Sequence, residues 1–192
     1  MPVSLAKRQP VSLTELAPGL RTVHVGLGWD MREDSDEDAD LDASVFMVTA
    51  AGTVLSDDHF VFYNALRSPC GSVSHSGDNR TGAGDGDDEA IVVDLLRVPA
   101  AVQKLVFAVS VHDTDEKAYT FGLVRSAFMR IINRANGEEL ARFDLSTEAA
   151  QDTAIIFGEV YRRGAGWDFE GLGDSSRGGL LGLVKHFGVT LK

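Results

Sequence analysis

The chain has 192 residues, of which 44% are apolar, and it carries a net charge of −11 from 29 acidic and 18 basic residues. This length and apolar content predict one globular domain, residues 1–192, with a sizeable core. The acidity argues against a nucleic-acid partner, since no basic face replaces phosphate counterions, and it disfavours direct binding to anionic membranes. The N-terminal residues lack the apolar run of a signal peptide and no segment is of membrane-spanning length, so we expect a cytoplasmic protein.

Short runs of β-branched and aromatic residues recur along the whole chain, with Gly, Asn, Asp or Pro between them. In chain order they are TVHVGLGWD, DASVFMVTAAG, HFVFYNAL, EAIVVDLL, KLVFAVSVHD, FMRIINR, ELARFDL, AIIFGEVYRR and GWDFEGLG. This rhythm predicts a mainly β fold, an antiparallel β-sandwich or barrel, rather than alternating βαβ units. Two segments are predicted to be helical: a short turn in VPAAVQ, and GGLLGLVKHFG near the C-terminus, which stops at Gly188.

The negative charge is concentrated in two segments. Residues 30–42, DMREDSDEDADLD, hold eight acids and one Arg, a net charge of −7, and residues 78–89, DNRTGAGDGDDE, hold five acids and one Arg, a net charge of −4. Together they account for the net charge of the entire chain, so the remaining residues balance. The acidity is therefore local and not a diffuse solubilising charge.

A hard divalent cation would explain why residues 78–89 combine so many carboxylates with glycines. Like charges at this spacing repel, and glycine raises the entropy lost when a loop becomes ordered. Calcium takes six to eight oxygens in a flexible geometry, whereas magnesium requires a stricter octahedron and zinc prefers His or Cys. The single Cys70 excludes an internal disulfide and a cysteine metal site. The alternative is an acidic loop that is simply solvated.

The EF-hand pattern does not describe this segment. With Asp78 at loop position 1, Glu89 falls at position 12, but positions 3, 5 and 6 are Arg80, Gly82 and Ala83, which lack the required ligands and glycine. The flanking residues also read as strands and not as helices. The segment lacks the GK[ST] ending of a phosphate loop as well.

Several motifs closely resemble the TerD family of bacterial tellurite-resistance and stress proteins. They are GLGWD at 26–30, DLDAS at 40–44, FVFYN at 60–64, HSGDNRTGAGDGDDE at 75–89, FGLVRSAFMRIIN at 121–133, ELARFDL at 139–145 and IIFGEVYR at 155–162. The resemblance implies a β-sandwich that binds calcium through its acidic segments and has a non-enzymatic, scaffolding role in chemical stress. It also implies other proteins of the stress-response (Ter) system as partners, near the inner face of the membrane.

The resemblance further implies a set of metal ligands, with Thr81 and Gly82 contributing backbone carbonyls. The set comprises Asp30, Asp40, Asp42, Asp78, Asn79, Thr81, Gly82, Asp85, Asp87, Asp88 and Glu89. Its eight carboxylates exceed what one Ca²⁺ needs, so we expect about two ions. How the ligands divide between the ions stays open, and the acidic residues 33–38 are left out of the site.

A second function uses the same carboxylates differently. A divalent-metal-dependent phosphoester hydrolase would hold Mg²⁺ or Ca²⁺ over the substrate and would need a base or cation beside the metal. His75 and Arg80 are the only close candidates in the sequence. Cys70 is interpreted as a bystander, and Trp29 and Trp167 as packing residues.

Overall fold

Two β-sheets packed face to face form the body of the protein. The computed structural model describes residues 3–31, 41–77, 86–111, 119–145, 151–176 and 178–190. Predicted ligands and loops that fall in the other ranges lie outside the described residues.

Sheet 1 contains six strands within the described residues. They are β1 (Val3–Leu5), β3 (Thr22–Met31), β6 (Val73–His75), β7 (Glu89–Asp94), β9 (Val124–Asn133) and β10 (Glu138–Leu145). Their spatial order is β1-β10-β9-β3-β7-β6. β1 pairs with β10 in parallel, and the other strand pairs of this sheet are antiparallel.

Sheet 2 also contains six strands in the part of the chain that the structure describes. They are β2 (Pro10–Ser12), β4 (Leu41–Thr49), β5 (Phe60–Val61), β8 (Val102–Val111), β11 (Ala154–Arg163) and β12 (Gly166–Ser176). Their spatial order is β2-β12-β11-β8-β4-β5, and all of these pairings are antiparallel. The predicted mainly β sandwich is confirmed, with the parallel β1 strand as the exception to antiparallel pairing.

The core lies between the sheets because apolar residues alternate along the strands. In β3, Val23, Val25 and Leu27 are at most 1% exposed and join the same cluster as Phe107 of β8 and Phe157 of β11. The alternate positions of β3 therefore lie on the outer face of sheet 1. The short helix α1 (Leu13–Leu16) contributes Leu13 to this core.

A second apolar cluster covers the outer face of sheet 2. The helix α2 (Gly179–His186) buries Leu183 and Val184 against this face, and the Phe187 ring lies 4.5 Å from the Phe46 ring. This helix confirms the predicted C-terminal helix. Its stop is confirmed too, since Gly188 has a φ of 71°, which favours glycine.

One predicted strand is shorter in the structure than the sequence predicts, and the predicted short turn in VPAAVQ is a turn without a helix. HFVFYNAL forms only the two-residue strand β5 before it turns, and hydrogen bonds in both directions between Phe62 and Ala65 close that turn. The VPAAVQ segment makes a turn that ends as β8 begins, with the N–H of Val102 donating to Pro99. Three-residue 3-10 helices occur at Asp57–His59 and Phe121–Leu123.

The strand register brings the borders of both acidic segments to one end of the sandwich. β3 ends at Met31 and β4 begins at Leu41, which pairs with Val111 at the end of β8. β7 begins at Glu89, which pairs with Leu27 near the end of β3. We call this the acidic end, defined by the described residues Asp30, Asp42, Asp87, Asp88 and Glu89.

Helix α2 offers a matched test of the packing on sheet 2. Leu183→Ala removes a side chain that is 2% exposed and should lower the free energy of unfolding by about 2–5 kcal/mol. Leu181→Ala, in the same helix but 51% exposed, should change it by less than about 0.5 kcal/mol. Urea denaturation followed by circular dichroism measures both. Equal losses for the two variants would contradict this packing.

Candidate functional site

The acidic end carries five of the eleven predicted ligands in the part of the chain that the structure describes. Those five are Asp30, Asp42, Asp87, Asp88 and Glu89. The other six lie outside the described residues: Asp40, Asp78, Asn79, Thr81, Gly82 and Asp85. The structure therefore locates the border of the predicted site and leaves the set of ligands a prediction.

Three consecutive carboxylates, residues 87–89, enter three different environments. Asp87 lies on the outer face of sheet 1, where it contacts His24 and Arg130. Asp88 is anchored to the end of β3, since its N–H donates to the carbonyl of Leu27 at 2.8 Å. Glu89 is 1% exposed and points between the sheets. The chain thus crosses from the outer face into the interior within three residues.

Glu89 and His75 together provide hydrogen-bond partners for the backbone N–H and carbonyl of Ala43. This part of β4 lies beyond the residues that pair with the short strand β5. The N–H of Ala43 donates to Oε2 of Glu89 at 2.6 Å, and the ring nitrogen Nε2 of His75 lies 3.1 Å from the carbonyl of Ala43. Nδ1 of His75 accepts a hydrogen bond from the N–H of Gly77 at 3.0 Å. Since a backbone N–H can only donate, the proton of the neutral imidazole lies on Nε2 and is directed at Ala43. Two side chains of sheet 1 therefore tie it to sheet 2 at the acidic end.

Asp87 is held between two basic side chains. Its Oδ2 lies 2.9 Å from Nε2 of His24, and its Oδ1 accepts from Nε of Arg130 at 2.7 Å. Burial alone would raise the pKa of Asp87, but the hydrogen bonds from His24 and Arg130, together with the charge of Arg130, outweigh it and lower the pKa. Asp87 is therefore a carboxylate whose charge the protein itself stabilises.

Two glycines in β3 create the space for this approach. Any Cβ at Gly26 would clash with the carboxylate of Asp87, and any Cβ at Gly28 would clash with the ring of Phe128. A Cβ at Gly28 would also lie 2.7 Å from the carbonyl of Gly86. Gly86 itself has a φ of 122°, a conformation that favours glycine. The GLG spacing thus allows the chain at 86–87 to lie directly on the sheet.

Asp88 and Asp30 form the least compensated part of the described site. Oδ2 of Asp88 accepts from the N–H of Trp29 at 2.8 Å, and Oδ2 of Asp30 accepts from the hydroxyl of Ser126 at 2.7 Å. Burial raises the pKa of Asp88; the hydrogen bond from Trp29 opposes this, but the charges of Asp30, Asp87 and Glu89 raise it further, and the net shift is upward. A positive charge placed here would relieve this repulsion.

Buried polar atoms without a hydrogen-bond partner among the described residues occur on both strands that border residues 32–40. They are Nε1 of Trp29, near the end of β3, and Oγ of Ser44, near the start of β4. Asp42, two residues before Ser44, is 4% exposed. Polar groups are thus buried where the first acidic segment, residues 30–42, begins and ends.

The described residues alone do not complete a metal site. Within the ranges that the structure describes, no group of three or more His, Cys, Asp or Glu side chains is placed to hold a metal ion. The donors at the acidic end are carboxylate oxygens, with no thiol among them. These donors fit a hard cation such as calcium, and further ligands would have to come from the residues outside the described ranges.

Sequence reasoning missed His24 and Arg130, which contact Asp87 across 63 and 43 residues of chain. The local signal was the pair Gly26 and Gly28, because glycines two apart on one face of a strand mark a place where another segment approaches closely. The interpretation of Trp29 and Trp167 as packing residues is confirmed, since both belong to the main core cluster.

A sandwich of this kind occurs in solved structures. The crystal structure of a homologue of the telluride resistance protein TerD from Streptomyces coelicolor A3(2) superimposes with a TM-score of 0.68 at 24% identity, over 86% of this chain and 95% of that one. At that identity the likeness shows the fold alone. No described helix is long and apolar enough to cross a membrane.

The sequence comparisons place the chain in a family. The sequence-family model of the TerD domain matches residues 1–187, and the chain therefore belongs to the TerD family. It is 47% identical over 190 residues to the Tellurium resistance protein TerD of Alcaligenes sp, with 99% of each chain covered. It is also 47% identical over 192 residues to General stress protein 16U of Bacillus subtilis (strain 168), with 100% of each chain covered.

Removing the charge of Asp88 should stabilise the metal-free protein. Asp88→Asn keeps an oxygen for the N–H of Trp29 and relieves repulsion, so we expect about 0.5–2 kcal/mol of added stability at neutral pH, measured by thermal and urea unfolding in chelator. The raised pKa of Asp88 means that wild-type stability falls as pH rises from the ordinary value of 3.8 through the folded pKa. The gain should therefore be full above that folded pKa and vanish below pH 3.8.

The exposed residue Asp58 supplies the control for this prediction. Asp58→Asn should change stability by less than about 0.5 kcal/mol at either pH. A loss of stability in Asp88→Asn at neutral pH would show that its ionised carboxylate is not a burden on the metal-free fold.

Proposed function

We propose that this protein is a calcium-binding, non-enzymatic component of a bacterial chemical-stress response. Its acidic end binds about two Ca²⁺. The observation that carries the proposal is that the described borders of both acidic segments lie at one end of the sandwich, where Asp88 lies among like charges. Family membership supports the stress role, because the relatives bear the names Tellurium resistance protein TerD and General stress protein 16U.

Asp30 and Asp88 are the described residues best suited to hold an ion. Each uses Oδ2 in the hydrogen bond described above, so we assign Oδ1 of each to calcium. The other predicted ligands are Asp40, Asp42, Asp78, Asn79, Thr81, Gly82, Asp85, Asp87 and Glu89, which offer carboxylate, amide and carbonyl oxygens. Bound calcium would supply the positive charge needed to offset the repulsion between these carboxylates. Its effect is linkage: an ion that binds only the folded loops stabilises them by about 2.7 kcal/mol at a hundredfold excess over Kd.

The hydrolase alternative is weaker because its proposed base is not available. The His75 side chain is fully buried, Nδ1 accepts from Gly77 and Nε2 is directed at Ala43. A general base must reach the proton that it abstracts, and this imidazole contacts only the interior. Its other candidate, Arg80, lies outside the described residues.

Direct reduction of tellurite is also disfavoured by the chemistry of the chain. Reduction of an oxyanion requires thiols or a redox cofactor, and the chain has a single cysteine. The net charge of −11 would repel TeO₃²⁻ as well. We therefore propose an indirect role, in which calcium orders the acidic loops and the ordered surface binds other cytoplasmic stress-response proteins, some of them at the membrane.

Calorimetric titration tests the calcium function directly. Protein stripped with chelator should bind about two Ca²⁺ at micromolar or tighter Kd, with little competition from Mg²⁺, because a flexible oxygen site suits the larger ion. Asp88→Asn should weaken this binding about tenfold or more, and Glu138→Gln, an exposed acid at the opposite end of the sandwich, should not.

Three results would count against this function or a part of it. No heat and no calcium-dependent rise in melting temperature would make the acidic segments solvated surface. Turnover of phosphoesters by purified protein with Mg²⁺ or Ca²⁺, lost in Asp88→Asn, would favour the hydrolase instead. Hydrogen exchange of the acidic loops that is identical with and without calcium would contradict the proposed ordering of the loops, even if calcium binds.

A further inference from the structure

Asp87 differs from Asp88 in that both of its carboxylate oxygens already pair with basic side chains of the protein. Oδ2 pairs with His24 and Oδ1 with Arg130, at 2.9 and 2.7 Å. The side chain is only 12% exposed and lies over Gly26, on the outer face of sheet 1. Calcium bound to either oxygen would lie next to a basic side chain, and an arginine and a divalent cation repel each other strongly at contact distance.

We propose that Asp87 is not a calcium ligand but the positioning residue of the site. The clamp formed by His24, Asp87 and Arg130 anchors the beginning of β7 to the outer face of sheet 1, and it thereby holds Asp88 where the ion binds. This inference rests on the calcium function proposed above and corrects the predicted role of one residue in the ligand set.

The strand register builds the clamp. Arg130 on β9 pairs directly with Gly26 on β3, and His24 lies two residues before Gly26 on the same face. Asp87 therefore lies above Gly26, a position of this face that has no side chain, between two basic neighbours. The next residue, Asp88, is fixed by its own N–H bond to Leu27.

A second acid keeps Arg130 in place. Nη1 of Arg130 lies 3.3 Å from Oε2 of Glu139, on the neighbouring strand β10. The register between β10 and β9 shifts between Glu139 and Ala141, and this bulge places Glu139 opposite Ile132, on the same face as Arg130. The buried Leu140 takes the extra position. Arg130 is thus held from two sides, and its guanidinium is fixed before any ion binds.

The clamp and simple electrostatics predict opposite effects for Arg130. Arg130→Gln removes a positive charge from the neighbourhood of the site, which by Coulomb attraction alone should tighten Ca²⁺ binding. If Arg130 instead positions the loop, the same change should weaken it, as the loss of an outer-shell partner typically lowers metal affinity about 10–100-fold. The sign of the change therefore distinguishes the two.

Arg142→Gln is the matched control. Arg142 on β10 lies directly opposite Arg130 on β9, so the substitution Arg142→Gln removes one positive charge from the same face of the sheet. Its described partners are Asp144, at 2.9 Å, and the ring of Phe128, 3.9 Å from its guanidinium carbon. We expect the Kd for Ca²⁺ to rise about 10–100-fold in Arg130→Gln and to stay equal or fall in Arg142→Gln.

Calorimetry on the full chain, with Ca²⁺ as the probe, decides between the outcomes. Arg130→Gln and Asp87→Asn should keep the wild-type number of ions and lose affinity. Equal or tighter binding in Arg130→Gln, or the loss of one ion in Asp87→Asn, would overturn the positioning role while the calcium function stands. A wild-type protein that binds no calcium would overturn the calcium function and, with it, this role.

Amide exchange in chelator gives a readout that does not depend on calcium. The amides of residues 86–89 should exchange slowly in the wild type and in Arg142→Gln, and faster in Arg130→Gln. Unchanged exchange in Arg130→Gln, at an unchanged melting temperature, would show that the clamp does not hold this segment and would overturn the inference.

Discussion

Repulsion between carboxylates at the acidic end is the constraint on which the rest of the structure depends. The fold relieves it at Asp87 with two basic side chains and at Glu89 with a backbone N–H donated from the other sheet. It relieves this repulsion least at Asp88, where burial and, after it, the charges of the neighbouring carboxylates raise the pKa. The residual repulsion is what a bound cation would remove, so the strain in the metal-free protein and the proposed function have the same origin.

The same contacts connect the site to the stability of the sandwich. Glu89 and His75 bind the backbone of Ala43 and so join the two sheets beside the acidic end. Asp87 ties the start of β7 to the centre of sheet 1. An ion bound at Asp88 would therefore stabilise elements of both sheets, which is how local binding could order a larger surface for a partner.

Much of the fold follows from the sequence, because a long half-buried strand has alternating apolar residues, and this pattern is visible in the local sequence. The strands β1, β2 and β6 were missed, since three residues are too few to show a period. The aromatic residues of HFVFYNAL predict one strand, because aromatic residues are common in strands. In the structure the rings of Phe60 and Phe62 stack at 4.5 Å and pack in the cluster that α2 covers.

The sequence predicts the chemistry of the candidate site, but it does not separate the proposed ligands from the proposed positioning residue Asp87. Acidic residues spaced by glycines indicate an oxygen site, and nothing in that spacing tells a ligand from an anchor. The distinction arises from contacts between residues far apart in the chain, such as Asp87 with His24 and Arg130. Only the register of β3 against β7 and β9 creates these contacts.

Terbium luminescence tests the location of the ion most directly. Tb³⁺ replaces Ca²⁺ at oxygen sites and emits when a nearby indole transfers energy to it. Trp29 lies at the acidic end, where its backbone N–H donates a hydrogen bond to Asp88. Trp167 lies at the opposite end of the sandwich, where it pairs with Arg162 across strands β12 and β11. The account predicts sensitised emission that Ca²⁺ abolishes, that is lost in Trp29→Phe and that persists in Trp167→Phe. Emission that survives Trp29→Phe but disappears in Trp167→Phe would contradict it.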